Sequence, residues 1–211
     1  MNILNSENMR TYEQIKNAVT NLGFKWFTDK YKINSVFERV DFVATNKFTD
    51  FWHLCYTNES GVNLILTIPC TTKPGLKGSL LEPTTVSGIT GTAIIESPQQ
   101  IIDGWEFNDT FKEFSEYPYF RQIGQVNYWR DGNKDLVIDK TNEQLHKVFG
   151  THWHRMSQNG TYGSGLVNNW SLGCMGSPEP EFEKILPLIR QAIKINGTKF
   201  TGTIIESKHI K

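Results

Sequence analysis

The residues most able to do chemistry lie close together. The segment Gly150-Thr151-His152-Trp153-His154-Arg155 carries two imidazoles, and a thiol, Cys174, follows twenty residues after His154 in Trp170-Ser171-Leu172-Gly173-Cys174. Only a thiolate is strongly nucleophilic, so a cysteine that is to attack a carbonyl needs a neighbour that takes its proton or lowers its pKa, and an imidazole does either. Between the two segments stand Gly160, Gly163, Gly165 and three asparagines, a stretch able to turn the chain and return the thiol beside the ring. These residue types make Cys174 the candidate nucleophile and His154 the candidate base. Gly173, without a Cβ, lets a carbonyl approach, and the N–H groups of Gly173 and Cys174 are placed to steady an oxyanion.

Period-two alternation puts His152 and His154 on one side of a strand. His152 is then expected to assist the base, and Arg155 to hold a substrate carboxylate with its planar fork. Trp153 and Trp170 are the flat surfaces expected to line the substrate cleft. The same pair of histidines also suits a zinc site, with Cys174 or His53 as third ligand and an open position for water. No acidic or histidine partner stands at a supporting spacing, so no metal and no cofactor is expected. A structural reading makes Cys174 a small buried hydrophobe and His154 a polar residue satisfied in a sheet. Cys55 and Cys70, in or beside apolar runs, fit that reading better. The run Asp131-Gly132-Asn133-Lys134-Asp135, with Asp139 beyond, loosely follows a calcium loop. Leu136 occupies its glycine position and no Glu its twelfth, so a polar turn is expected there.

These residues need a scaffold. Thr11 with Gln14 three places on forms a capping box, Ile15, Ala18, Val19 and Leu22 form one helical stripe, and Gly23 stops the helix. Runs at 36–44, 51–57 and 62–69 read as strands, the last two joined at Asn58-Glu59-Ser60-Gly61 and ended by Pro69. Residues 71–83, rich in Gly and Pro, read as an ordered loop. Strands are expected at 91–95, 125–129, 148–154 and 199–205. The stretch 105–120 has no clean period. After the thiol, Ser177 is expected to cap a helix with Pro180 in its first turn and Phe182, Ile185, Leu186, Ile189 and Ile193 buried, kinked or divided at Pro187. The expected fold is α+β and β-rich: a mixed sheet or sandwich with an N-terminal amphipathic helix and a C-terminal helix before a last strand. It forms one domain over 1–211, with 1–30 a helical extension packed on it.

Composition narrows the partners. The 22 basic and 22 acidic residues balance, so the field expected of a nucleic-acid binder is missing. No run of eighteen apolar residues and no export signal at Met1–Asn8 is present, which leads us to expect a soluble chain without a transmembrane segment. Three cysteines argue against a disulfide framework.

The segment Ser171-Leu172-Gly173-Cys174 after an upstream histidine resembles the signature of the L,D-transpeptidase catalytic domain. Several pieces in order also resemble phage and Bacteroidetes endolysin-like proteins related to that domain: Tyr12–Phe27, Pro69–Gly75, Gly91–Ile94, Tyr128–Asn133, His154-Arg155 and Trp170–Cys174. The resemblance implies Cys174 as nucleophile, His154 as base, and Ser171 and Gly173 shaping the turn that presents the thiol. It implies a thioester with a peptidoglycan stem peptide, passed to an amine or to water. Leu172 stands where the family has a second histidine, and Met175-Gly176 replaces its usual apolar residue and arginine or asparagine. The expected protein is a phage-encoded cell-wall enzyme, made in the host cytoplasm and delivered to the wall or periplasm by a holin or a virion. Its alternatives are a non-catalytic wall-binding or virion module of the same fold, and a zinc-dependent peptidoglycan hydrolase.

Overall fold

The computed structural model describes residues 10–76, 93–109, 117–130, 135–137, 140, 144–146, 150–158 and 160–211. Met1–Asn8, the loop beyond Leu76, the start of the 91–95 strand, Phe111, Phe114, Val148, Phe149, Asp131–Lys134 and Asp139 lie outside these residues.

Helix α1 (Tyr12–Asn21) begins with the capping box read in the sequence: Thr11 Oγ1 accepts the Gln14 N–H at 3.2 Å and Gln14 Oε1 accepts the Thr11 N–H at 3.0 Å. Its stripe of Ile15, Ala18 and Val19 packs with Val36, Cys55, Ile205 and Ile210. The strands are β1 (Asn34–Arg39), β2 (Asp50–Thr57), β3 (Asn63–Cys70), β4 (Ala93–Ile95), β5 (Gln99–Asn108), β6 (Tyr119–Gln122), β7 (Val126–Arg130), β8 (Gln144–His146), β9 (Trp153–Arg155) and β10 (Met175–Ser177). Helix α2 (Glu179–Asn196) and β11 (Lys199–Glu206) complete the chain. The fold is strand-rich α+β.

Eight strands form one sheet in the order β10-β9-β6-β5-β11-β1-β2-β3, and β4-β7-β8 form a second. β1 runs parallel to β11 and β9 to β10; the other pairs are antiparallel. The large sheet nearly closes on itself. Just past β3, Thr71 bridges Gly176 in β10 through two hydrogen bonds, N–H to carbonyl at 2.8 and 3.1 Å, so the two edge strands meet. Closure of this kind removes exposed edges.

The main core is aromatic. Trp153 stacks on Trp105 at 4.4 Å, and Phe37, Trp52, Phe120 and Phe182 pack around the pair. Helix α2 closes this core through Phe182, Ile185, Leu186 and Ile189. The Trp105 indole N–H reaches back to the Thr151 carbonyl at 2.8 Å, tying the core to the chain just before β9.

Several boundaries differ from the sequence reading. β1 stops at Arg39 because the Val40 N–H goes to the Asp50 carboxylate at 3.1 Å instead of continuing the ladder. Pro69 lies inside β3, opposite Phe51, where a missing N–H is tolerated at a sheet edge. Ser177 belongs to β10 and does not cap α2. The N–H of Glu179 goes instead to Ser157 Oγ at 2.7 Å, a cap supplied by a distant loop. Pro187 does not divide α2, which runs through it, and the residue is exposed. The unassigned stretch 105–120 contains the end of β5 and the start of β6, which pair antiparallel.

The seam at Gly176 makes a direct prediction. A Cβ at this position would lie 2.0 Å from the His154 carbonyl oxygen. Gly176→Ala should therefore lower the urea unfolding free energy by at least about 1–3 kcal/mol, as overpacking does; an unchanged midpoint would contradict the seam.

Candidate functional site

The register between β9 and β10 assembles the site. Met175 pairs with Trp153, Gly176 with His154 and Ser177 with Arg155, and the Met175 N–H reaches the His152 carbonyl at 2.9 Å. Extending that register by one residue sets Cys174 beside His152. Paired residues of neighbouring strands share a face and successive residues alternate. His152, His154, Cys174 and Gly176 therefore lie on one face, and Trp153, Arg155, Met175 and Ser177 on the other. Gly176, across from His154, adds no side chain to that face.

The turn that carries the thiol is held from both sides. Ser171 Oγ donates to the Cys174 carbonyl at 2.7 Å and accepts the Gly173 N–H at 3.2 Å. The Ser171 carbonyl accepts the Gly75 N–H at 3.0 Å, so the loop after β3 buttresses the turn. Gly173 has φ of +127°, and a Cβ on it would come within 2.9 Å of the Ala93 carbonyl. The Gly173 N–H, engaged by Ser171, is not an oxyanion donor, which corrects the sequence reading. The N–H of Cys174 has no protein hydrogen-bond partner among the described residues.

Cys174 is half-buried, and its Sγ donates to the Gly150 carbonyl at 3.1 Å. Burial pushes the thiol up to about 11, partly offset by the His152 backbone N–H facing the sulfur. No hydrogen bond joins the sulfur to either imidazole among the described residues.

The two rings are held in opposite tautomers. His154 Nδ1 lies 2.6 Å from the Arg155 carbonyl, which can only accept, so Nδ1 carries the proton and Nε2 keeps its lone pair. Among the described residues that Nε2 has no partner. Burial lowers the His154 pKa despite this bond. His152 is the reverse case: its Nδ1 accepts the Gln122 N–H at 3.2 Å, which leaves the proton on Nε2. Burial, then His154, then Arg121 bring its pKa down to about 4. Both rings are neutral at pH 7.

Two expected substrate residues lie elsewhere. Trp153 has no exposed surface and belongs to the aromatic core. Arg155 is buried, paired with Glu179 and set over the Tyr117 ring, so its fork is occupied. Trp170 and Leu172, in contrast, are exposed on the flanks of the cysteine turn. His53 donates or accepts at Thr67 (2.9 Å) and Glu38 (3.0 Å), which removes it as a third zinc ligand. No group of three or more His, Cys, Asp or Glu among the described residues is arranged to hold a metal. Cys55 and Cys70 are buried, and burial pushes both thiols upward.

Arg121 and Gln122 join the site without having been picked out in the sequence. With Ile123, Gly150 and His152 they line a cavity of about 510 Å³. No family model, curated protein or solved structure matches the chain.

His152 has a measurable consequence for stability. Its ring protonates near pH 6.5 in the unfolded chain and near 4 when folded, so below pH 6.5 the unfolded state binds more protons. The stabilisation is complete above pH 6.5 and falls as the pH drops toward 4, by roughly 2 kcal/mol. Urea titrations at pH 7 and 4.5 should show a smaller loss for His152→Gln than for the wild type; equal losses would refute the assignment.

Proposed function

We propose that this chain is a cysteine acyltransferase or hydrolase that acts on peptidoglycan stem peptides. The observation that carries the catalytic part is the register that sets the turn bearing Cys174 beside β9, with a lone-pair nitrogen on His154. The choice of peptidoglycan rests on the resemblance of Ser171–Cys174 and its companion segments to the L,D-transpeptidase domain, and so does the finer identity of the fold.

The chemistry follows from the tautomers. A thiol held up to about 11 is protonated at neutral pH, so proton removal accompanies attack and does not precede it. Rotation of the Cys174 side chain takes the S–H from the Gly150 carbonyl to His154 Nε2. Sγ then bonds to the peptide carbonyl carbon, and the negative charge on its oxygen is met by the Cys174 N–H. The imidazolium returns the proton to the departing amine as the C–N bond breaks, leaving a thioester on Cys174. An amine gives a cross-link and water gives a trimmed or cleaved peptide, with His154 now taking a proton from the acceptor. Exposed Trp170 and Leu172 offer apolar surface beside the turn. Synthesis in a host cytoplasm and delivery to the wall by a holin or virion belong to the same proposal.

One observation favours a second reading, a wall-binding or virion module without turnover: the thiol rests on the Gly150 carbonyl and not on an imidazole. Turnover separates the two. Incubated with defined muropeptides and followed by product mass, the wild type should form a cross-linked or shortened product, Cys174→Ala none, and His154→Ala about 10²–10⁴-fold less per unit time. Full activity in Cys174→Ala would remove the nucleophile, and an unchanged rate in His154→Ala would remove the base.

A further inference from the structure

The cavity beside His152 starts at the thiol's own hydrogen-bond partner, since Gly150 both accepts the Cys174 S–H and lines the cavity. Its walls are chemically uneven. Gln122 is fully engaged: its backbone N–H goes to His152, its side-chain oxygen accepts the Thr151 N–H at 2.9 Å, and its amide donates to the Gly124 carbonyl at 2.8 Å. Ile123 adds an apolar surface. Arg121 is the cation among the lining residues. Its pairing with Glu106 is a single 3.1 Å contact in the open, with just over half of the arginine side chain exposed. An exposed pair of this kind contributes little and yields readily to a better partner. The guanidinium lies close enough to His152, which also lines the cavity, to disfavour protonation of that ring.

We propose that this cavity binds a carboxylate carried by the peptide next to the bond that Cys174 attacks, with Arg121 as the residue that reads it. The inference rests on the acyl-transfer reading above and adds what that reading left open, namely the charge selection of the substrate. A planar guanidinium takes a carboxylate through two parallel N–H···O bonds, which fixes orientation as well as charge. The residue first assigned this task, Arg155, is engaged by Glu179, and Arg121 occupies the wall of the open space instead. Peptidoglycan stem peptides present such carboxylates, and their amidated forms lack them with almost no change of shape.

The test uses a synthetic stem tetrapeptide with free side carboxylates and its amidated counterpart, with two readouts. Equilibrium binding is measured to Cys174→Ala and to Cys174→Ala/Arg121→Gln, and kcat and KM to the wild type and Arg121→Gln. The free acid should bind Cys174→Ala about tenfold or more tightly than the amide, with the difference shrinking as salt rises. Arg121→Gln should abolish the preference, chiefly through a raised KM for the free acid. Turnover without discrimination overturns the carboxylate subsite and leaves the acyl-transfer reading standing. Discrimination that Arg121→Gln abolishes, without turnover, keeps the subsite and removes the enzyme. Binding of both peptides that ignores Arg121, or binding of neither, overturns the subsite.

Discussion

The pairing of Thr71 with Gly176 is the constraint on which the arrangement depends. Those two hydrogen bonds join the edge strands of the eight-stranded sheet and pin β10 between β9 and the loop after β3. A strand of three residues has little hold of its own, and here it is gripped from both sides. The same loop reaches one step further, where the Gly75 N–H holds the Ser171 carbonyl, so closure of the sheet also sets the turn that precedes the thiol. Glycine is demanded at 176 by the backbone of His154, whose carbonyl oxygen would lie 2.0 Å from a Cβ there.

Electrostatics then divides the two histidines. They sit two residues apart on one face, yet a carbonyl at Arg155 and an N–H at Gln122 hold them in opposite tautomers. Burial keeps both neutral and keeps the thiol protonated. A thiolate–imidazolium pair at rest would need the opposite shifts, a lowered thiol and a raised ring. In the proposed acyl transfer, proton transfer would therefore accompany bond formation, starting from a resting thiol held by Gly150. The buried ion pair of Arg155 with Glu179, and the Ser157 cap on α2, fasten the opposite face of β9 to the helix.

Much of this was legible locally. The capping box at Thr11 and Gln14 and the buried stripe of α2 both come from spacing along one element. The alternation that groups the histidines also sends Trp153 and Arg155 to the far side, and the core location of both was available from the same argument. The remainder depends on contacts between distant segments. Ser157 capping α2, Thr71 meeting Gly176 and Gln122 orienting His152 join residues that no local pattern relates. Arg121 follows an aromatic stretch whose residues supply both core and surface, so periodicity there gave no strand and no face. The Gly173 N–H was assigned to an oxyanion because sequence shows which groups exist and not which are already bonded.

In the proposed reaction Cys174 carries the acyl group, which peptide mapping by mass spectrometry detects after the protein is mixed with a stem peptide and quenched in acid. A hydroxylamine-sensitive acyl adduct is expected on the peptide that contains Cys174, with none on the buried Cys55 and Cys70. Product formation with the adduct absent from Cys174 and present on another residue would contradict it.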